Sequence, residues 1–251
     1  MQAFACCNGY FCELSPEGDG FRYAARLPPI TLQAAMTPLR FRYQTLEFGD
    51  VDIHVRTLRD NQQFADADGV AEKLGISSAT WPLFGIIWAS GEVLAHHMFD
   101  YELEGQRILE VGCGIALTSL VLNHRHADIT ATDYHPEAGA FLLENSELNH
   151  GAAIPFMRTG WGDADSGLGE FDLIVGSDLL YEREHIALLA DFIEQHAKPQ
   201  CKVVIVDPGR GQHASFSKKM VGLGYAHTQN KPDTAGYLAQ PFPGQILHYA
   251  R

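Results

Sequence analysis

The chain has 251 residues, 46% hydrophobic and 20% charged, enough apolar material for one large folded domain and too much for a mostly disordered chain. Its 31 acidic and 18 basic side chains leave a formal charge of −13. Such a surface repels phosphate backbones and anionic lipid, so neither nucleic acid nor membrane is an expected partner.

Nothing in the sequence approaches the roughly 20 apolar residues that span a bilayer. The stretch from Trp81 to Ala89 is interrupted by Pro82 and Gly85. No Lys or Arg precedes Arg22, so the charged start of a secretory signal is lacking. The cysteines Cys6, Cys7, Cys12, Cys113 and Cys201 are odd in number and lack paired metal-ligand spacing. They predict no metal site and a reducing, cytoplasmic setting.

Residues 1–36 show no period and read as an irregular N-terminal arm ending at Met36, a second candidate start. The domain proper is expected over 37–251. Phe41, Tyr43 and Thr45 alternate with Arg42 and Gln44; Val51, Ile53 and Val55 alternate with Asp52, His54 and Arg56. With Gly49-Asp50 between them, these runs predict a β-hairpin within 37–60. Residues 61–80 are polar, and the apolar stretch from Trp81 ends as a helix near Met98. From Gly105 onward, strands at Arg107–Val111, Asp128–Thr132, Ile154–Arg158, Phe171–Gly176 and Lys202–Asp207 alternate with helices. Those helices are Ala116–Arg125, Pro136–Asn149, Glu182–Ala197 and Gln212–Val221.

Runs such as ILEV, DLIV and VVIV are apolar throughout, as in parallel strands covered on both faces. The last two strands, Tyr225–Gln229 and Ile246–Tyr249, are joined by a Pro/Gly-rich loop without a helix, so they should pair antiparallel. The fold class is α/β, a doubly wound, Rossmann-like sheet.

The chemistry concentrates where the first of these strands meets its helix. In ILEVGCGIAL, Gly112 and Gly114 let the backbone turn and approach a ligand closely. Glu110 sits at the strand's carboxyl end, and Asp133 ends the next strand, where a carboxylate can accept both hydroxyls of a ribose. A dinucleotide would want a third glycine, where Leu117 stands. S-adenosylmethionine carries a sulfonium and no phosphate, and suits an acidic turn better. A tight turn without a ligand is the plain alternative.

Glu110-Val-Gly112-Cys-Gly114-Ile-Ala116 resembles the first motif of class I, seven-stranded S-adenosylmethionine-dependent methyltransferases, with Ala116 in place of the third glycine. The resemblance implies strand order 3-2-1-4-5-7-6 with strand 7 antiparallel. Four further pieces resemble the D-x-x-Y protein-lysine methyltransferases related to nicotinamide N-methyltransferase. FDLIVGSDLLY presents Ser177, Asp178 and Tyr181; Trp81-Pro82 through Trp88 and Gly91 resembles the segment covering the cofactor. Trp161-Gly-Asp163 stands where the family contacts adenine, and Asn145-x-x-x-Asn149 follows the ribose acid. The phrase VDPGR, Val206–Arg210, looks most like bacterial members.

By resemblance, Trp88, Glu110, Gly112, Gly114, Asp133, Trp161, Asp163 and Ser177 hold S-adenosyl-L-methionine, and Asp178 and Tyr181 serve catalysis. The implied reaction is methyl transfer to an amine nitrogen, a protein lysine first. A small nicotinamide-like amine and a non-catalytic cofactor-binding module are the alternatives. Structural readings accompany several residues. Asp178 is a candidate N-cap for the following helix, Asp163 a turn former, and Trp81 and Trp88 one buried helix face. His185 and His213 read as surface groups.

Overall fold

The computed structural model describes residues 40–60, 66, 68–78, 83–163 and 167–251, together with the backbone of 5–7 and 10–12. Trp81-Pro82 lies outside the described residues. The chain divides into Met1–Pro38 and Leu39–Arg251. In the first unit, β1 (Ala5–Cys7) pairs antiparallel with β2 (Tyr10–Cys12), a short ladder where the sequence shows no period.

The second unit opens with β3 (Phe41–Phe48) and β4 (Val51–Leu58), paired antiparallel from Phe41–Leu58 to Phe48–Val51. Gly49 makes their turn at φ 62°. A single helical turn, α1 (Val70–Lys73), interrupts the polar stretch, and α2 (Ala89–Phe99) follows. Then come β5 (Arg107–Val111), α3 (Leu117–His124), β6 (Asp128–Asp133), α4 (Ala138–Leu148), β7 (Phe156–Arg158) and β8 (Phe171–Ser177). The chain continues through α5 (Glu184–His196), β9 (Ala197–Asp207), α6 (His213–Gly222), β10 (Ala226–Asn230) and β11 (Gln245–Ala250).

Among the described residues the main sheet has seven strands, in the order β7-β6-β5-β8-β9-β11-β10. Numbered along the chain, that is 3-2-1-4-5-7-6. Strand β11 is antiparallel to both its neighbours, and the remaining pairs are parallel. The apolar runs explain the two cores. Ile108, Leu173, Val175, Val204 and Val206 face α2, α3 and the hairpin. Their neighbours Leu109, Val111, Ile174, Val203 and Ile205 face α5 and α6. Alternate side chains therefore bury on opposite faces, and neither face tolerates a polar run.

Two local expectations change. Helix α5 starts at Glu184 with Arg183 as its N-cap, and the 178–183 stretch is not helical. Asp178 therefore does not cap it, and Asp178 and Tyr181 do not share a helical face. Trp88 is the extended N-cap of α2, at φ −94° and ψ 146°, rather than a residue on that helix's face.

Candidate active site

Parallel pairing brings the carboxyl ends of β5, β6, β8 and β9 to one edge. Val111 is opposite both Thr132 and Gly176, and Ser177 is opposite Val206. Every expected site residue from Glu110 to Ser177 except Asp163 and Trp161 lies on these strands or at the turn after β5; those two follow β7.

The bend after β5 uses its glycines for two different reasons. Gly112 has φ 61°, and a Cβ there would stand 2.6 Å from Leu179 Cδ2. Gly114 has φ 56° and nothing within 4 Å of where its Cβ would be, so its backbone faces open space. A bulky ligand could lie against it. Ala116 also takes the left-handed conformation, at φ 62°, as the N-cap of α3. Here the family's third glycine position keeps the glycine-like backbone with an alanine.

Asp133 Oδ2 accepts the Gly114 N–H at 2.7 Å, and Oδ1 accepts the His135 N–H at 2.7 Å. Asp133 is thus fixed directly onto the glycine bend, and burial raises its pKa. Glu110, 4% exposed, turns toward the start of α3: Oε2 accepts the Ser119 N–H at 2.9 Å and the Ser119 hydroxyl. Burial pushes the Glu110 carboxyl up to about 7, against the lowering effect of Ser119 and with a further push from Asp133. Two carboxyls held uphill beside an open glycine backbone favour a cationic ligand, because a positive charge stabilises their ionised forms.

Around this bend, Trp161 is half-buried, packed against the α5–α6 core and edge-on to His185 at 5.1 Å. Asp163 Oδ2 closes its own loop, accepting from Gly160 N–H at 2.7 Å and Thr159 Oγ1 at 3.0 Å. Its turn-forming role is therefore realised. Trp88 Nε1 donates to the Leu83 carbonyl at 2.9 Å, which folds the 83–88 segment ahead of α2. Ser177 Oγ lies 3.6 Å from the Cβ position of Gly91, joining β8 to the first turn of α2.

Asp178 departs most from expectation. It takes φ 54°, its N–H donates to Val206 O at 2.9 Å, and both carboxylate oxygens accept from Arg210. Tyr181 is 42% exposed and stands edge-on to His185 at 4.5 Å. Desolvation, then Glu182, Asp133 and Asp178, push its hydroxyl up to about 12, so it stays protonated near neutral pH. His185 and His213 are partly buried, their side chains 17% and 28% exposed.

Three residues near this edge are not among the expected site residues. Phe84 stacks flat on His135 at 3.7 Å, and burial lowers His135 to about 4. Arg210 was visible only as part of a phrase. Asp207, the last residue of β9, is 1% exposed. The signal that finds Asp207 is register, since Asp178 and Asp207 each follow one of the paired residues Ser177 and Val206.

The lysine methyltransferase family profile matches residues 74–220, more than half of the chain. The chain belongs to this lysine methyltransferase family. It is 30% identical over 128 residues to protein N-lysine methyltransferase METTL21A of Danio rerio, covering 47% of this chain and 58% of that protein. It is 21% identical over 135 residues to EEF1A lysine methyltransferase 3 of Xenopus tropicalis, covering 52% and 60%. The chain thus spans less than two thirds of either relative. The ribosomal protein L11 methylase of Lactobacillus delbrueckii subsp. bulgaricus shares the fold at a TM-score of 0.51 and 18% identity, over 67% of this chain and 81% of that one. All of the expected site residues, Trp88 through Tyr181, fall inside the family match.

Proposed function

We propose that this lysine methyltransferase family member transfers a methyl group from S-adenosylmethionine to a protein lysine. The observation that carries the reading is Asp133 bonded to the Gly114 N–H, beside a glycine bend open to a ligand. In this reading Asp133 receives the ribose hydroxyls through its remaining lone pairs, and the Gly112–Gly114 backbone lies against the nucleoside. Glu110 holds the bend by anchoring α3 and contributes negative charge toward a sulfonium. Trp161 and Asp163 flank the adenine, and Trp88 with Ser177 closes the side toward α2. When bound, the cofactor supplies an electrophilic methyl: the amine lone pair forms the N–C bond while the S–C pair returns to sulfur, leaving a thioether and a methylated ammonium.

Lysine fits the acidic edge, because Asp207, Glu182 and the overall charge of −13 all favour a basic segment. Tyr181 walls the acceptor side with a neutral hydroxyl that can hydrogen-bond the amine. Free, buried Cys113 and Cys201 accord with a reducing compartment, and we assign the protein to the cytoplasm.

The deciding experiment incubates the protein with cell lysate and radiolabelled S-adenosylmethionine. Label in discrete protein bands that yields methyllysine on acid hydrolysis supports the reading. Label only in the small-molecule fraction overturns the lysine acceptor.

A further inference from the structure

Asp178 does not meet an acceptor as a lone anion. Arg210 donates from Nε to one oxygen at 2.6 Å and from Nη2 to the other at 2.7 Å, a two-pronged pair. The side chains are 13% exposed for Asp178 and 42% for Arg210, so the arginine is the wetter partner. Beside them, Asp207 Oδ2 accepts the Gly209 N–H at 2.9 Å and faces His213 Nδ1 at 3.6 Å. Its buried Oδ1 has no hydrogen-bond partner among the described residues. Arg210 thus bonds Asp178 and acts on the neighbouring Asp207 only through its charge. The other titratable groups that act here are Tyr181 and Glu182 after β8, His185 on α5, His213 on α6 and Asp133 at the end of β6.

The charge at this point matters because a lysine attacks only through its uncharged amine, and its ordinary pKa is about 10.4. An unpaired carboxylate would hold the proton on the nitrogen, whereas a neighbouring cation favours its loss. We propose that Arg210 is a positioning residue that neutralises Asp178, so that the acceptor pocket receives the substrate amine in its uncharged, nucleophilic form. The inference rests on the methyltransferase reading above. The ammonium gives its proton to water on entry. Asp178 then orients the amine through lone pairs that the guanidinium leaves open.

Sinefungin, in which a carbon bearing an amine replaces the methylsulfonium, tests this without a protein substrate. Near neutral pH its amine is charged, and S-adenosylhomocysteine carries a neutral thioether at the same point. Calorimetry on the full chain gives the ratio of their affinities. Arg210→Gln should raise the preference for sinefungin about tenfold, the effect of one unit of local pKa change, while Arg210→Lys stays near the wild type. Asp178→Asn should lower the preference about tenfold, and the double variant Asp178→Asn/Arg210→Gln, which exchanges one neutral pair for another, should match the wild type; it decides the matter if Arg210→Gln does not fold, a tenfold fall meaning that Asp178 is not neutralised. An unchanged ratio in Asp178→Asn, or Arg210→Lys behaving as Arg210→Gln, overturns the proposal. Failure of the wild type to bind either compound instead sinks the methyltransferase reading itself.

Discussion

Burial holds the Glu110 carboxyl at about 7 against an ordinary 4.5. Between those values the folded protein binds this proton more readily than the unfolded chain. The contribution is fully present below pH 4.5 and is lost as pH rises through 7. Glu110→Gln removes that dependence. In urea unfolding without cofactor, the variant should therefore gain on the wild type by on the order of 3 kcal/mol between pH 4.5 and about 8. His135, lowered to about 4, has the opposite slope, but it is present in both proteins and drops out of the difference. A flat difference would mean that Glu110 is ionised throughout. At Asp133, replacement by Ala should weaken S-adenosylmethionine binding by about 1–3 kcal/mol, read by calorimetry. Unchanged affinity would remove Asp133 from the ribose role. These two acids were legible in sequence because each stands at the carboxyl end of a strand, Glu110 just before the glycine bend and Asp133 closing the strand that follows. The Arg210–Asp178 pair was not: its partners are 32 residues apart and meet only through the β8–β9 register.

At the scale of elements, the hairpin is held by side chains that imitate a strand. Asn145 Oδ1 accepts the Arg56 N–H at 2.7 Å, and its amide donates to Arg56 O at 3.3 Å. Asn149 repeats the exchange with His54, at 2.8 Å and 2.6 Å. Residues four apart on α4 thus meet residues two apart on β4, since 6 Å of helix rise is close to two strand residues. Asn145→Ala should cost about 1–3 kcal/mol, because Asn145 is wholly buried and the Arg56 amide would lose its partner. Hydrogen exchange at Arg56 and His54 should speed up relative to β5. Equal protection in the variant would show that the hairpin is held by packing alone. Sequence periodicity disclosed β3, β4 and the sheet strands, because alternation and continuous apolar runs follow directly from which faces are covered. It placed the start of α5 too early, at Glu182, because Tyr181 and Glu182 are compatible with a helix. The left-handed Asp178 and the loop after it override that local preference.

Over the whole molecule, the charge of −13 gives a field that draws in basic partners and weakens with salt. If the acceptor is a basic protein segment, its labelling rate at limiting substrate should fall steeply between about 0.05 and 0.5 M salt, while S-adenosylmethionine affinity changes little. A salt-independent rate would indicate a neutral acceptor. The sheet's final arrangement sets a different global constraint. Strand β11 lies between β9 and β10, and β10 has β11 as its one strand neighbour among the described residues. The earlier of the two strands therefore waits for the later one. Losing the segment that begins at Gln245 would strip two strands from the sheet at once and lay bare the flank of β9, the strand that ends in Asp207 and leads to Arg210.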